Sequence, residues 1–194
     1  MMIQFDTFGH ISIVVDDIEE ATEFYRELFG AVPVQDFPHF KNIGFAKSAG
    51  FMSDPEQIEV TVRFLRLPTK EGVIIELMQY FNPLGRVIKH YKKTNDMNCL
   101  GHIAFRIKNI DEAFNHVKKI KGVRLISDSE QYKPCKIDNI KPEEFIFFDK
   151  KLEEDPAEKE KVCGIIGKIR FFYIVDKYGI QWEFEEGHSD IGSD

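Results

Sequence analysis

The sequence predicts an α+β protein built from two tandem copies of one module, and three observations predict it. The segment "FGHISIVVDDIEEAT" (8–22) returns as "LGHIAFRIKNIDEAF" (100–114). Each copy passes from a period of two residues into a period near 3.6, the signature of a strand followed by a helix. Each module then ends on a similar pair of apolar stretches, "TVRF" with "GVIIEL" and "KIRF" with "GIQWEF".

The first strand of each module is carried by the closest match. An offset of 92 lays Gly9, His10, Ile11, Ile18, Glu20, Ala21 and Gly30 over Gly101, His102, Ile103, Ile110, Glu112, Ala113 and Gly122. Ile11, Ile13 and Val15 alternate with His10, Ser12 and Val14, and Ile103, Phe105 and Ile107 alternate with His102, Ala104 and Arg106. Both histidines therefore fall on the less apolar face. The helices come next. Asp17 with Glu20, and Asn109 with Glu112, have the spacing of an N-terminal capping pair, in which the first side chain satisfies free backbone N–H groups. Apolar positions 18, 21, 25, 28 and 110, 113, 117, 120 make two matching stripes, with Gly30 and Gly122 placed to end them.

The terminal strands match at an offset of 107 instead, so the second module carries 15 extra residues between about 127 and 167. That stretch is charged and contains Pro142 and Pro156, which reads as a solvated excursion; its "FIFF" (145–148) suggests a small buried anchor, an added strand or helix. The modules are expected at 1–97 and 98–194. In the last strands Glu76 shares a face with Ile74 and Met78, and Glu183 shares one with Gln181 and Glu185. A carboxylate in the middle of an apolar strand needs a partner for its charge.

Composition narrows the partners. With 26 basic and 33 acidic residues the formal charge is -7, so there is no basic face to neutralise phosphates and neither nucleic acid nor a membrane surface is expected. A small molecule is the expected ligand. No apolar run reaches the roughly 18 residues of a membrane span, and three cysteines without CxxC spacing suggest neither a disulfide framework nor a zinc ribbon. A reduced, cytoplasmic protein is expected.

Singly, a strand histidine or glutamate means little. Yet His10, Glu76, His102 and Glu183 occupy equivalent places in two repeated modules. Pairing of the modules about a pseudo-twofold axis would gather two imidazoles and two carboxylates, and a divalent cation is the ordinary solution to that cluster.

The motifs "GHISIVVDDIEEATEFYRELFG", "GVIIELMQY", "LGHIAFRIKNIDEAF" and "DKYGIQWEF" together resemble the vicinal oxygen chelate superfamily of glyoxalases, epimerases, extradiol dioxygenases, fosfomycin-resistance enzymes and bleomycin-resistance proteins. The resemblance implies two βαβββ modules pairing into an open, U-shaped mixed β-barrel with helices outside. It implies a metal held by His10, Glu76, His102 and Glu183, the ion being Ni, Co, Zn, Mn or Fe, with the site inside one chain or across a homodimer. Lys177 and Tyr178 depart from the family's usual Pro and Asp, at no ligand position. A His/Glu/His/Glu set looks most like glyoxalase I, with epimerases similar, and implies proton abstraction next to a carbonyl, with Glu183 or Glu76 as the base. An extradiol dioxygenase using Fe(II) and O₂ is the alternative, as is a non-enzymatic, bleomycin-resistance-like binding protein. Among the other polar residues, His39, His90, His116 and His188 are expected in solvent. Arg63 and Arg170 fit either substrate anions or surface ion pairs, and "GRVIKHYKK" (85–93) reads as a solvated linker helix.

Overall fold

The computed structural model describes residues 8–86, 94, 95, 97, 99–136, 142, 145–166 and 169–187. In the first unit, Met1–Lys89, β1 (Ile11–Val14), α1 (Ile18–Phe29), β2 (Val32–Phe40), α2 (Ile43–Ser48), β3 (Glu59–Arg66) and β4 (Ile74–Asn82) follow one another. The strands lie in the order β1-β4-β3-β2, with β1 parallel to β4 and the other pairs antiparallel. This is a βαβββ module with a short helix added between β2 and β3. The start of α1 is held twice: the Asp17 carboxylate accepts the Glu20 N–H at 2.8 Å, and Gln79 Oε1, reaching over from β4, accepts the Ile18 N–H at 3.0 Å. Gly30 ends the helix at φ 71°, a conformation that costs glycine little, and its N–H meets the Arg26 and Tyr25 carbonyls. The helix buries Ile18, Ala21, Phe24, Tyr25 and Leu28, and the sheet beneath it buries Leu65, Ile75 and Leu77.

The second unit, His90–Asp194, repeats the plan. Its elements are β5 (Ile103–Arg106), α3 (Ile110–Val117), β6 (Arg124–Leu125), β7 (Cys135–Lys136), α4 (Lys150–Glu153), α5 (Pro156–Ile166), β8 (Arg170–Val175) and β9 (Gln181–Glu186). The order is β5-β9-β8-β6, with β5 parallel to β9. Phe114, Phe172, Phe184 and Trp182 form its buried aromatic core, with Phe114 edge-on to Phe172 at 5.1 Å and Phe172 stacked on Phe184 at 4.9 Å. Among the described residues no helix is long and apolar enough to cross a membrane.

Several expectations are corrected. Asn109 does not cap α3: its side-chain amide donates to Glu112 Oε2 at 2.8 Å, and it is Glu186, on the neighbouring β9, that accepts the Ile110 N–H. Helix α3 also stops at Val117, ahead of Gly122, which takes its φ of 91° in a later turn. The third strands are not in the register that "TVRF" over "KIRF" suggests. Phe64 lies opposite Glu76, but Tyr173 lies opposite Glu183. Tyr173 follows Phe64 by 109 residues against 92 for the first strands, so the excess before β8 is 17 residues, and the β8–β9 turn is two residues shorter than that of β3–β4.

That excess enters through a broken edge strand. Where the first unit has the nine residues of β2, the second has β6 against Ile174 and Val175 and β7 against Arg170 and Phe171. In the gap, the Tyr132 hydroxyl accepts the Tyr173 N–H at 2.7 Å, a side chain standing in for a strand. The "FIFF" run is not a buried anchor. Phe145 and Phe147 pack on each other at 4.9 Å, while Ile146 and Phe148 remain exposed because their side of the segment is left uncovered. Polar contacts order this segment instead: Glu153 accepts the Phe147 N–H at 2.8 Å and pairs with Lys159 at 2.6 Å. Residues 87–93 of the basic linker, with His90, and also His188, lie outside the described residues.

Candidate metal centre

Parallel pairing of the first and last strands of each unit brings its histidine and glutamate together. Ser12 registers with Glu76 and Ala104 with Glu183, and each histidine stands two residues earlier on the same face. His10 Nε2 lies 3.3 Å from Glu76 Oε2, and His102 Nε2 lies 2.8 Å from Glu183 Oε2. The carboxylates are 15% and 12% exposed but the imidazoles 42% and 37%, so each acid is held in the sheet while its imidazole stays reachable. An aromatic ring on the third strand flanks each histidine, Phe64 at 5.6 Å from His10 and Tyr173 at 5.2 Å from His102. Each unit thus carries one nitrogen and one oxygen donor in the same arrangement. Among the described residues no group of three or more His, Cys, Asp or Glu side chains is gathered for a metal, so each pair by itself is a two-donor set.

The two faces differ around their matched pairs. On the first unit Val14, Ile74, Met78 and Phe64 share the face of His10 and Glu76. On the second, Arg106, Gln181, Glu185 and Tyr173 stand in those places. Tyr173 is a residue that sequence reasoning missed, because a register based on "KIRF" puts Phe171 where Tyr173 stands. Its hydroxyl hydrogen-bonds to Glu183, and burial first, then the charge of Glu183, pushes its pKa up to about 12. Tyr80 is also raised, by burial and by Glu76.

The arginines are absorbed by ion pairs. Arg63 donates to Glu19 and Asp36, and Arg170 to Asp111, with Glu186 3.7 Å away. Both reach the first turn of the helix that covers their sheet, the face opposite the histidine–glutamate pair. A groove of about 500 Å³ runs past Arg63, Asp36, His39 and Phe81 on that outer side of the first unit. His39 is half-exposed there, stacked on Phe81 at 4.3 Å and bonded to Glu59 at 2.9 Å, and His116 is exposed on α3.

Imidazole nitrogen and carboxylate oxygen are donors that suit divalent first-row cations. The fold agrees with the comparisons. A profile of the Glyoxalase/Bleomycin resistance protein/Dioxygenase superfamily matches residues 7–133, and the chain belongs to that superfamily. No protein of curated function matches it in sequence. Among solved structures it is similar to a glyoxalase family protein from Bacillus cereus, 18% identical with a TM-score of 0.59 over 96% of this chain and 97% of that one. A glyoxylase/bleomycin resistance protein/dioxygenase domain from Frankia sp. EAN1pec is 12% identical, with a TM-score of 0.53 over 95% and 100%. The genomically encoded fosfomycin resistance protein FosX of Listeria monocytogenes is 16% identical, with a TM-score of 0.50 over 97% and 96%. At these identities the likeness concerns the fold.

Proposed function

We propose that the protein is a metal-dependent lyase or isomerase of the glyoxalase type, which moves a proton at a carbon next to a carbonyl in a small-molecule substrate. One observation carries the reading: the same imidazole–carboxylate contact recurs in both units. His10, Glu76, His102 and Glu183 would then hold one divalent cation, within one chain or across a pair of chains. When bound, that cation supplies the Lewis acidity that makes a C–H beside a chelated carbonyl acidic. The chain's own groups do the rest. The imidazoles bind as neutral donors, and a carboxylate beside the reacting carbon takes the proton and returns it. Glu76 and Glu183 are the two candidates for that role. They are not equivalent, since Tyr173 donates its hydroxyl to Glu183 whereas the matching residue beside Glu76 is Phe64.

The test is NMR in D₂O of the metal-loaded protein with candidate hemithioacetals of glutathione and with 2-methyl-branched acyl-CoA esters. Loss of the proton signal next to the carbonyl, abolished by His102→Ala, is expected. Oxygen uptake with a catechol after Fe(II) loading would instead assign ring cleavage, and a ligand that binds and is released unchanged would assign sequestration.

A further inference from the structure

Helix α1 begins at Ile18, and past its start the outer face of the first sheet opens into the groove of about 500 Å³, a size found among small-molecule sites. Thr61 of β3 and Gln79 of β4, paired in register, make its floor. Asp17 and Glu19 at the helix start form one wall, and Pro38 and His39 of β2 form the other. That second wall is a bulge. Between the pairs Phe37 with Val62 and Phe40 with Val60, Pro38 and His39 stand opposite Thr61 alone. Phe81 sits in a similar irregularity, between Tyr80 opposite Val60 and Asn82 opposite Glu59. Bulges re-aim side chains, and here the two rings end stacked, 4.3 Å apart and 28° from parallel. Phe64 and Glu76 lie on the other face of the same strands, so the groove is separate from the histidine–glutamate pair.

Part of the lining is spent within the fold: Arg63 on Glu19 and Asp36, His39 Nε2 on Glu59, and Gln79 Oε1 on the Ile18 N–H. Other groups are left over. Among the described residues the Thr61 hydroxyl, Asp17 Oδ2, Asp36 Oδ2 and the Gln79 amide N–H groups have no hydrogen-bond partner. Charge then selects the ligand. Three carboxylates, Asp17, Glu19 and Asp36, against the one guanidinium of Arg63 leave two negative charges in the lining. An anion would be repelled, and the helix start that could attract one is already answered by Asp17 and Gln79. A bare metal ion would find no three acidic, thiol or imidazole side chains gathered among the described residues. A flat cation uses what remains: its N–H groups donate to the free carboxylate oxygens and to Thr61, and its face lies on the exposed ring of Phe81. The Gln79 N–H groups are left for an oxygen elsewhere on the molecule.

We propose that this groove binds an organic cation of the guanidinium class, at a second ligand site on the face of the first unit opposite its histidine–glutamate pair. Asp17 and Asp36 supply the charge, Phe81 the ring face and Thr61 a further acceptor.

Calorimetric titration of the full chain with agmatine tests it, with putrescine, of the same carbon chain and charge but no flat group, as the control. Saturable binding of agmatine is expected, at least about threefold tighter than that of putrescine. Phe81→Leu and Asp17→Asn should each weaken agmatine binding at least about threefold; asparagine caps a helix as well as aspartate does, so the start of α1 is kept. In NMR spectra of the labelled wild type, agmatine should shift the signals of Thr61, Gln79 and His39 and leave those of His10 and His102 in place. Tighter binding of acetyl-arginine amide than of agmatine would assign the guanidinium to a peptide, and the reverse to a free small molecule. No saturable binding of agmatine, equal affinity for putrescine, unchanged affinity in either folded variant, or shifts centred on His10 would overturn the proposal. Where a variant fails to fold, the wild-type shifts and the putrescine comparison decide.

Discussion

Tyr173 and Glu183 show how one residue can separate two otherwise matched histidine–glutamate pairs. In the proposed site the Tyr173 hydroxyl would fix the orientation of the Glu183 carboxylate. Tyr173→Phe is therefore expected to weaken divalent-metal affinity about 10- to 100-fold, read by competition with a coloured chelator, while leaving the melting temperature of the metal-free protein nearly unchanged. The reciprocal Phe64→Tyr should not weaken binding. At this scale the sequence was legible where the two modules agree. His10 with His102 and Glu76 with Glu183 stand out because each residue is repeated. Tyr173 was not legible, because its counterpart Phe64 is apolar, and a repeat reveals what two copies share while hiding what one copy has changed.

At the scale of elements, the helix starts separate local from tertiary control. The last strand accepts the first helical N–H in both units, Ile18 to Gln79 and Ile110 to Glu186, but Asp17 also accepts the Glu20 N–H whereas Asn109, in the same sequence place, turns its amide to the Glu112 carboxylate. Asp17→Ala should cost about 1 kcal/mol in urea unfolding, and Asn109→Ala clearly less. The capping pattern alone did not separate them, since an asparagine amide can donate to the Glu112 carboxylate as an aspartate cannot. The broken edge strand is a second case. No propensity marks the gap between β6 and β7, and it exists because Tyr132 can satisfy the Tyr173 N–H. Tyr132→Phe strands that N–H and is expected to destabilise the second unit by about 1–3 kcal/mol. Further along, α4 and α5 are tied to each other through Glu153 and Lys159. Deleting residues 150–162 should leave metal content and a cooperative melt in place while altering ligand affinity. Loss of either would make the insertion part of the core.

At the scale of the whole molecule, the strand order first-fourth-third-second recurs in both units although one carries a long insertion. Likeness to solved structures extends over nearly the full chain at under a fifth identity. The repeated modules were legible through the repeat and the family resemblance, and parallel pairing of the first and last strands, seen in the structure, places the repeated histidine and glutamate side by side. The lengths of the edge strand and of the second hairpin were not legible, since the two-residue shift of β8 leaves both arginines able to reach an acid on their helix, Glu19 or Asp111. The central claim is that the two pairs act on one ion. Equilibrium dialysis of the wild type, His10→Ala and His102→Ala against Mn(II) or Zn(II) tests it most directly. One bound ion per chain in the wild type, lost in both variants although the altered residues belong to different units, is the result expected. An ion retained at full affinity in either variant, or two independent ions in the wild type, would contradict it.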